Sequence, residues 1–205
     1  MLQTTTTRPL RLSDQLERWL NREGEKTLGG LVEAFGDKSF AILFVLLLGV
    51  PALPVPTGGA THIFEVIAVL IALELIAGRH QVWLPNRWRG LELGGERQQR
   101  FLTSLMKLIR RLERISRPRL AFLFHSRLTD VVFGLLVFGG TAAAFAAPPF
   151  TGLDTLPALS VVMISLAVLL EDALIALAGL ILGAVGVALE VVLGAAAVHG
   201  ISSLL

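Results

Sequence analysis

The chain has 205 residues, the length of one ordinary domain. It is 54% hydrophobic and only 17% charged, against about 25% charged in a typical soluble domain, which argues against a soluble enzyme. It has no Cys, which excludes disulfides and thiolate metal sites, and its four His are isolated, without metal-ligand spacing; no cofactor or metal is expected. The net charge of +2 hides a segregation. Arg8, Arg11, Arg18, Arg22, Lys26 and Lys38 lie in residues 1–38, the other cations lie in residues 79–127, and nothing after Arg127 is basic. Lys and Arg concentrate in cytoplasmic loops of membrane proteins. The pattern predicts a multi-pass protein of a bacterial cytoplasmic (inner) membrane. Residues 1–38 lack the apolar core of a signal peptide, so insertion through internal segments is expected.

In chain order, residues 1–38 form a cytoplasmic tail with short helices. Met1–Arg8, with its four Thr, reads as disordered. Ser13 is the candidate cap of a helix through Leu20, with Leu16, Trp19 and Leu20 on one side, and Thr27 caps a helix near Leu28–Phe35 that stops at Gly36. Residues 39–78 form a first membrane hairpin: an apolar helix Phe40–Leu53, a stiff loop Pro54–Gly59 and a helix Ala60–Ala77. The first helix spans about 21 Å, short of the ~30 Å hydrocarbon core. It is therefore re-entrant or surrounded by protein, and the loop must reach an interface or line a cavity.

Residues 79–127 leave the membrane, with Trp83 and Trp88 at headgroup depth. Glu96–Ser116 has helical spacing, with a stripe of Phe101, Leu105, Leu108, Leu112 and Ile115. This basic amphipathic helix lies on an anionic leaflet or docks on the protein's own cytoplasmic face. Residues 128–172 form a second hairpin: helix Val131–Ala147, a break at Pro148-Pro149, and helix Leu156–Leu170 ended by Glu171-Asp172. Residues 173–205 are one tilted helix with a tail, or two short ones.

A shift of 94 residues aligns the two hairpins without a gap. Pro54-Val55-Pro56-Thr57-Gly58 falls on Pro148-Pro149-Phe150-Thr151-Gly152, with apolar runs coinciding on both sides. Paired broken segments mark the binding site in many secondary transporters. With residues 1–38 and 79–127 on one side, the repeats are parallel unless one segment fails to cross. The fold expected is all-α and polytopic.

The run Leu-Gly-Val-Pro-Ala-Leu-Pro-Val-Pro-Thr-Gly at 48–58, followed by Ala-Gly-Arg-His-Gln-Val-Trp-Leu-Pro at 77–85, resembles the ExoD family of exopolysaccharide-synthesis proteins. Leu156-Pro157-Ala158-Leu159 and Leu169-Leu170-Glu171-Asp172 resemble that family's second half. The resemblance covers roughly residues 27–190, and Gly-Arg-x-x-x-Trp-Leu-Pro is its most specific piece. The chain departs from it in the Ala-rich stretch Thr141–Ala147 and in His62 and Glu65, where neutral residues are expected. The resemblance implies a role in bacterial exopolysaccharide production. It implies no reaction, because no catalytic motif carries over.

Candidate sites follow from the cost of polar groups in lipid, roughly 2.5–3.5 kcal/mol for a charge at mid-bilayer. The Pro-x-x-Thr-Gly loops, through Pro54, Pro56, Thr57, Gly58, Pro148, Thr151 and Gly152, are either substrate-binding turns or plain tight turns. Glu65, Glu74 and Glu190 are the intramembrane acids. Glu190 shares a helical face with Gly179, Gly183, Gly186 and Gly194, which should meet another helix, and the first three glycines are a possible homo-oligomer surface. Glu74 and Arg79 form one expected interfacial pair, and Arg127 and Asp130 a second. His62 and His199 rank below these. No nucleotide loop, catalytic triad or glycosidase carboxylate pair stands out. The leading expectation is a non-enzymatic inner-membrane component of exopolysaccharide synthesis or export, with membrane lipid and polysaccharide machinery as partners and no nucleic acid. The alternative is a proton-coupled transporter or flippase for a lipid-linked or small anionic substrate.

Overall fold

A computed structural model describes residues 11–22, 26–53, 61–92, 95–117, 119, 121–147 and 152–202, with side chains at all of these except 96–98, 123, 125 and 197–202. The elements are α1 (Leu12–Asn21), α2 (Leu28–Phe35), α3 (Ser39–Leu48), α4 (His62–Ile76), α5 (Asn86–Arg89), α6 (Glu96–Ile115), α7 (Arg127–Ala146), α8 (Thr155–Leu170) and α9 (Ala173–Ser202), with 3-10 turns at Gly36–Lys38 and Ala121–His125. Among the described residues the fold is all-α, and β contacts are limited to isolated bridges of Thr27 with Glu92 and of Arg119 with Asp172.

The start of the chain corrects one expected cap and bears out the other. Ser13 is not a cap: Arg11 holds that position, and Ser13 lies buried within α1, where its N–H (3.1 Å) and Oγ (2.5 Å) donate to the Glu113 carboxylate on α6. A partner 100 residues away outbids a local cap. Thr27 does cap α2, accepting the Gly30 N–H at 3.2 Å, and Gly36 ends the helix with φ +50°. The Met1–Arg8 segment lies outside the described residues.

Helix α6 docks on the chain itself. Leu102, Leu105 and Ile109 are buried, as are Leu12, Leu16 and Trp19 of the helix α1 that packs on it. The Arg110–Glu17 ion pair flanks this contact. The buried stripe differs from the expected one: Leu108 and Ile115 are exposed, and Leu102 and Ile109 take their places. The line i, i+3, i+7 through Leu102 faces inward, and Leu108 and Ile115 lie off it.

Helix α3 is shorter than expected. It stops at Leu48 and passes into a turn at 49–53, and eight of its ten residues are buried. It contacts α2, α4 and α8, and Phe44 meets Phe133 of α7 edge-on at 5.7 Å. Protein, not lipid, surrounds this 15 Å rod, which is one of the two outcomes a short apolar helix allows.

Helices α3, α4, α7 and α8 make a ring in which each touches the next. Neighbours are antiparallel. Lys38 before α3 reaches the end of α8, His62 of α4 meets Phe145 of α7, and Gly134 of α7 lies against Ile76 of α4. Helix α7 begins at Arg127, earlier than expected, because Ser126 caps it by accepting the Thr129 N–H at 3.2 Å. Helix α9 is one continuous helix of 30 residues and packs along α8. Its glycines explain how. A Cβ at Gly179 would stand 2.8 Å from Ile164 Cγ1, one at Gly186 2.9 Å from Leu156 Cβ, and one at Gly183 against Ser160 Oγ. The Ser160 hydroxyl donates to the Gly179 carbonyl at 2.8 Å. The small-residue face is filled by α8, so these three glycines do not offer it to a second copy. Two helices, α7 and α9, are long and apolar enough to cross a membrane.

Candidate functional site

The ring has two polar ends of opposite character. At the end where α8 stops, Glu171 adopts a left-handed conformation (φ 55°, ψ 37°) and the Asp172 N–H closes back on the Ala167 carbonyl at 3.1 Å. Lys38 Nζ donates to the Leu169 carbonyl (3.1 Å) and to Glu171 Oε1 (2.9 Å), a cation at a helix C-terminus. Asp172 caps α9 through the Leu174 N–H (3.0 Å) and takes the Ser116 hydroxyl (2.9 Å) and the Arg117 N–H (3.1 Å). Burial acts to raise its pKa. The hydrogen bonds from Leu174, Ser116 and Arg117, with the charge of Arg119, outweigh that and hold it below the ordinary carboxylate value.

Also at this end, the turn after α4 passes through Gly78 (φ +84°), and the Arg79 N–H reaches the Glu74 carbonyl at 3.2 Å. The Arg127 guanidinium lies over Gly78, so close that a Cβ there would be 2.7 Å from Nη2. The two expected ion pairs do not form among the described residues. The Glu74 carboxylate accepts the Trp83 N–H at 2.9 Å instead of pairing with Arg79, because the chain reverses at Gly78 and brings the 80s backbone back over α4. Arg127 is spent on Gly78 rather than on Asp130. The following strap buries Val82 and Leu84, leaves Trp83 exposed, and ties to α2 through Arg89–Glu33 (2.8 Å) and the Leu28 N–H to the Leu91 carbonyl (2.9 Å).

The opposite end holds Glu65 and Glu190, two of the three acids that lipid-level reasoning singled out. Glu65, on α4, is fully buried. Its Oε2 meets His62 Nδ1 at 2.7 Å, and its Oε1 has no hydrogen-bond partner among the described residues. The His62 ring leans on Phe145 with centroids 5.0 Å apart. Thr141 Oγ1, on the facing helix α7, is likewise buried without a partner. Glu190, on α9, is half-buried with Oε1 sequestered. Asp154 precedes α8 at this same end. Of the loop residues, Gly152 is described and has φ +70°, the turn geometry its type permits. Pro54, Pro56, Thr57, Gly58, Pro148 and Thr151 lie outside the described residues, as do the side chain of His199 and the Pro148-Pro149 break. Sequence reasoning found Glu65 but missed Thr141, whose signal is a lone hydroxyl in an Ala-rich apolar run. It also gave Asp172 too small a role, since its partners come from residue 116 onward. No group of three or more His, Asp or Glu with metal-holding geometry occurs among the described residues.

Comparisons with known proteins bear on this geometry. Residues 12–192 match the family described as "Exopolysaccharide synthesis, ExoD". An uncharacterised protein of Synechocystis sp. is 32% identical over 174 residues, covering 83% of this chain and 81% of that protein. The protein ExoD of Rhizobium meliloti is 30% identical over 154 residues, 75% of this chain and 64% of that protein. No solved structure matches the chain.

Proposed function

The chain belongs to the ExoD family of exopolysaccharide-synthesis proteins, and from that premise we propose that it is a multi-pass component of the bacterial cytoplasmic membrane that supports exopolysaccharide synthesis or export without catalysing a reaction. The observation that carries the reading is the outward surface. Leu128, Val132 and Leu135 of α7, Ile63, Val66 and Leu70 of α4, and Ile181, Val185 and Val191 of α9 are exposed and apolar. Exposed apolar surface on three helices supports a membrane or protein partner. Lys38, Arg79, Arg117, Arg119 and Arg127 sit together at the opposite pole from Glu65, and this agrees with a single cytoplasmic face. Exchanging α3 for α7 and α4 for α8 leaves the ring of contacts unchanged, which supports two parallel related hairpins.

Two experiments test this. Deleting the gene in its own bacterium should reduce exopolysaccharide yield at least several-fold, and expression of this chain should restore it; an unchanged yield sinks the role. Because the chain has no Cys, single cysteines at Thr57, Thr151 and Ser116 report topology cleanly. The first two should label from one side of sealed vesicles and the third from the other. Labelling of Thr57 and Thr151 from opposite sides would overturn the parallel arrangement.

A further inference from the structure

The strap of residues 79–91 closes over one side of α2 and leaves a cavity of about 210 Å³ between them. The strap is held down near its end. The Leu28 N–H donates to the Leu91 carbonyl at 2.9 Å, and Arg89 lies so close to Gly29 that a Cβ there would be 3.0 Å from its carbonyl oxygen. Positions 29, 33 and 36, at spacings of four and three, turn one side of α2 to the cavity. Two of these three are glycines, which leaves the space open.

The lining is mixed. Val82 and Leu84 of the strap are buried and supply an apolar wall. Gln81, Glu33 and Arg89 supply an amide, a carboxylate and a guanidinium. The Arg89–Glu33 pair joins Nη2 to Oε1, so Oε2 and the other guanidinium N–H groups keep their hydrogen-bonding capacity. The two charges cancel. An anion such as phosphate would meet the Glu33 carboxylate, and a wholly apolar guest would strip water from three polar groups without replacing it.

We infer that this cavity binds one uncharged sugar ring, its C–H face on Val82 and Leu84 and its hydroxyls shared among Glu33, Gln81 and Arg89. A hydroxyl both donates and accepts, so neighbouring hydroxyls suit a carboxylate and a guanidinium set side by side. Size limits the guest. The cavity is smaller than the ~300–1,000 Å³ of sites for drug-sized ligands, so it takes a single ring rather than a nucleotide or a length of chain. This names a substrate class for the exopolysaccharide role proposed above and rests on that reading for the source of the sugar.

Saturation-transfer NMR tests it. The full chain, in nanodiscs prepared without sugar-based detergent, would be offered methyl glucoside, methyl galactoside and N-acetylglucosamine, with inorganic phosphate as competitor. Wild-type protein should transfer saturation to the ring protons of at least one sugar, and a large excess of phosphate should leave the signal unchanged. Glu33→Ala combined with Gln81→Ala should cut the signal several-fold. Both residues are exposed, so the double variant keeps its fold. No transfer from wild-type protein to any of the three sugars overturns the inference, as does an equal signal in the double variant or displacement by phosphate. The gene deletion reads the other level. A lowered yield with no sugar bound sinks this site alone, whereas sugar binding with an unchanged yield keeps the site and sinks the exopolysaccharide role.

Discussion

Helices α4 and α8 hold matching places in the ring, each between α3 and α7, and they differ in what covers their outer sides. Helix α8 lies under the glycine face of α9, which covers Ser160 and Ile164, while Val161 lies against Gly140 of α7, and all three are buried with Ala167. The positions 94 residues earlier on α4 are Val66, Ile67, Leu70 and Leu73, and three of these four are exposed. Both sequences are apolar all round, so hydropathy alone does not tell them apart. What separates them is the exit of each helix. At Gly78 the chain turns under Arg127 and leaves along the 80s strap. At Glu171 it reverses through Asp172 and returns as α9. One turn decides whether an apolar face meets protein or stays exposed.

The largest effect should come from removing the group that sets this reversal. Asp172→Ala deletes the acceptor of three hydrogen bonds in a buried position and should cost about 3 kcal/mol in detergent unfolding. Its pKa lies below the ordinary 3.8, so the unfolded chain binds the proton more readily. The stabilisation is fully present above about pH 4 and lost as pH falls through the folded value. Asp172→Asn should flatten that acid limb in a pH series of unfolding midpoints. A limb unchanged in Asp172→Asn would assign it to other carboxylates.

A smaller effect should follow from prying α9 away. Gly183→Leu places a side chain where Ser160 Oγ already stands and should destabilise by about 2 kcal/mol. A cysteine at Ser160 should then react with a maleimide that it resists in the parent; continued resistance would show that α9 keeps its seat. The smallest effect tests the other half of the contrast. Leu70→Ala, at a residue 53% exposed, should change unfolding stability by no more than about 0.5 kcal/mol. A loss of 2 kcal/mol or more would mean that something packs on α4 as α9 packs on α8.

Local signals were readable along the chain and distant ones were not. Thr27 and Gly36 bracket α2 because a hydroxyl cap and a positive-φ stop act within four residues. The bounds of α6 and α8 follow in the same way from periodicity and from the acidic pair at 171–172. Ser13 misled, since its oxygen serves Glu113 rather than its own helix. The glycines at 179, 183 and 186 announced a close contact but carried no record of which helix would fill it. Glu65 stood out as an acid in an apolar run. That no Lys or Arg among the described residues reaches it needs the ring of helices to be seen. The Pro-x-x-Thr-Gly loops, the most visible motif, fall outside the described residues except at Gly152.

The length of α9 has a mechanical consequence. Thirty residues at 1.5 Å each make a rod of about 45 Å, half again the thickness of a ~30 Å hydrocarbon slab. If α9 crosses the membrane as proposed above, a rod of that length leans, kinks or carries its ends beyond the slab, and a lean of the rod is a lean of everything glued to it. Its first half is glued to α8 through three glycines, and its foot is pinned at Asp172. In the membrane placement proposed above, a thicker or thinner bilayer would act on this protein as a hand on a lever whose fulcrum is that single carboxylate.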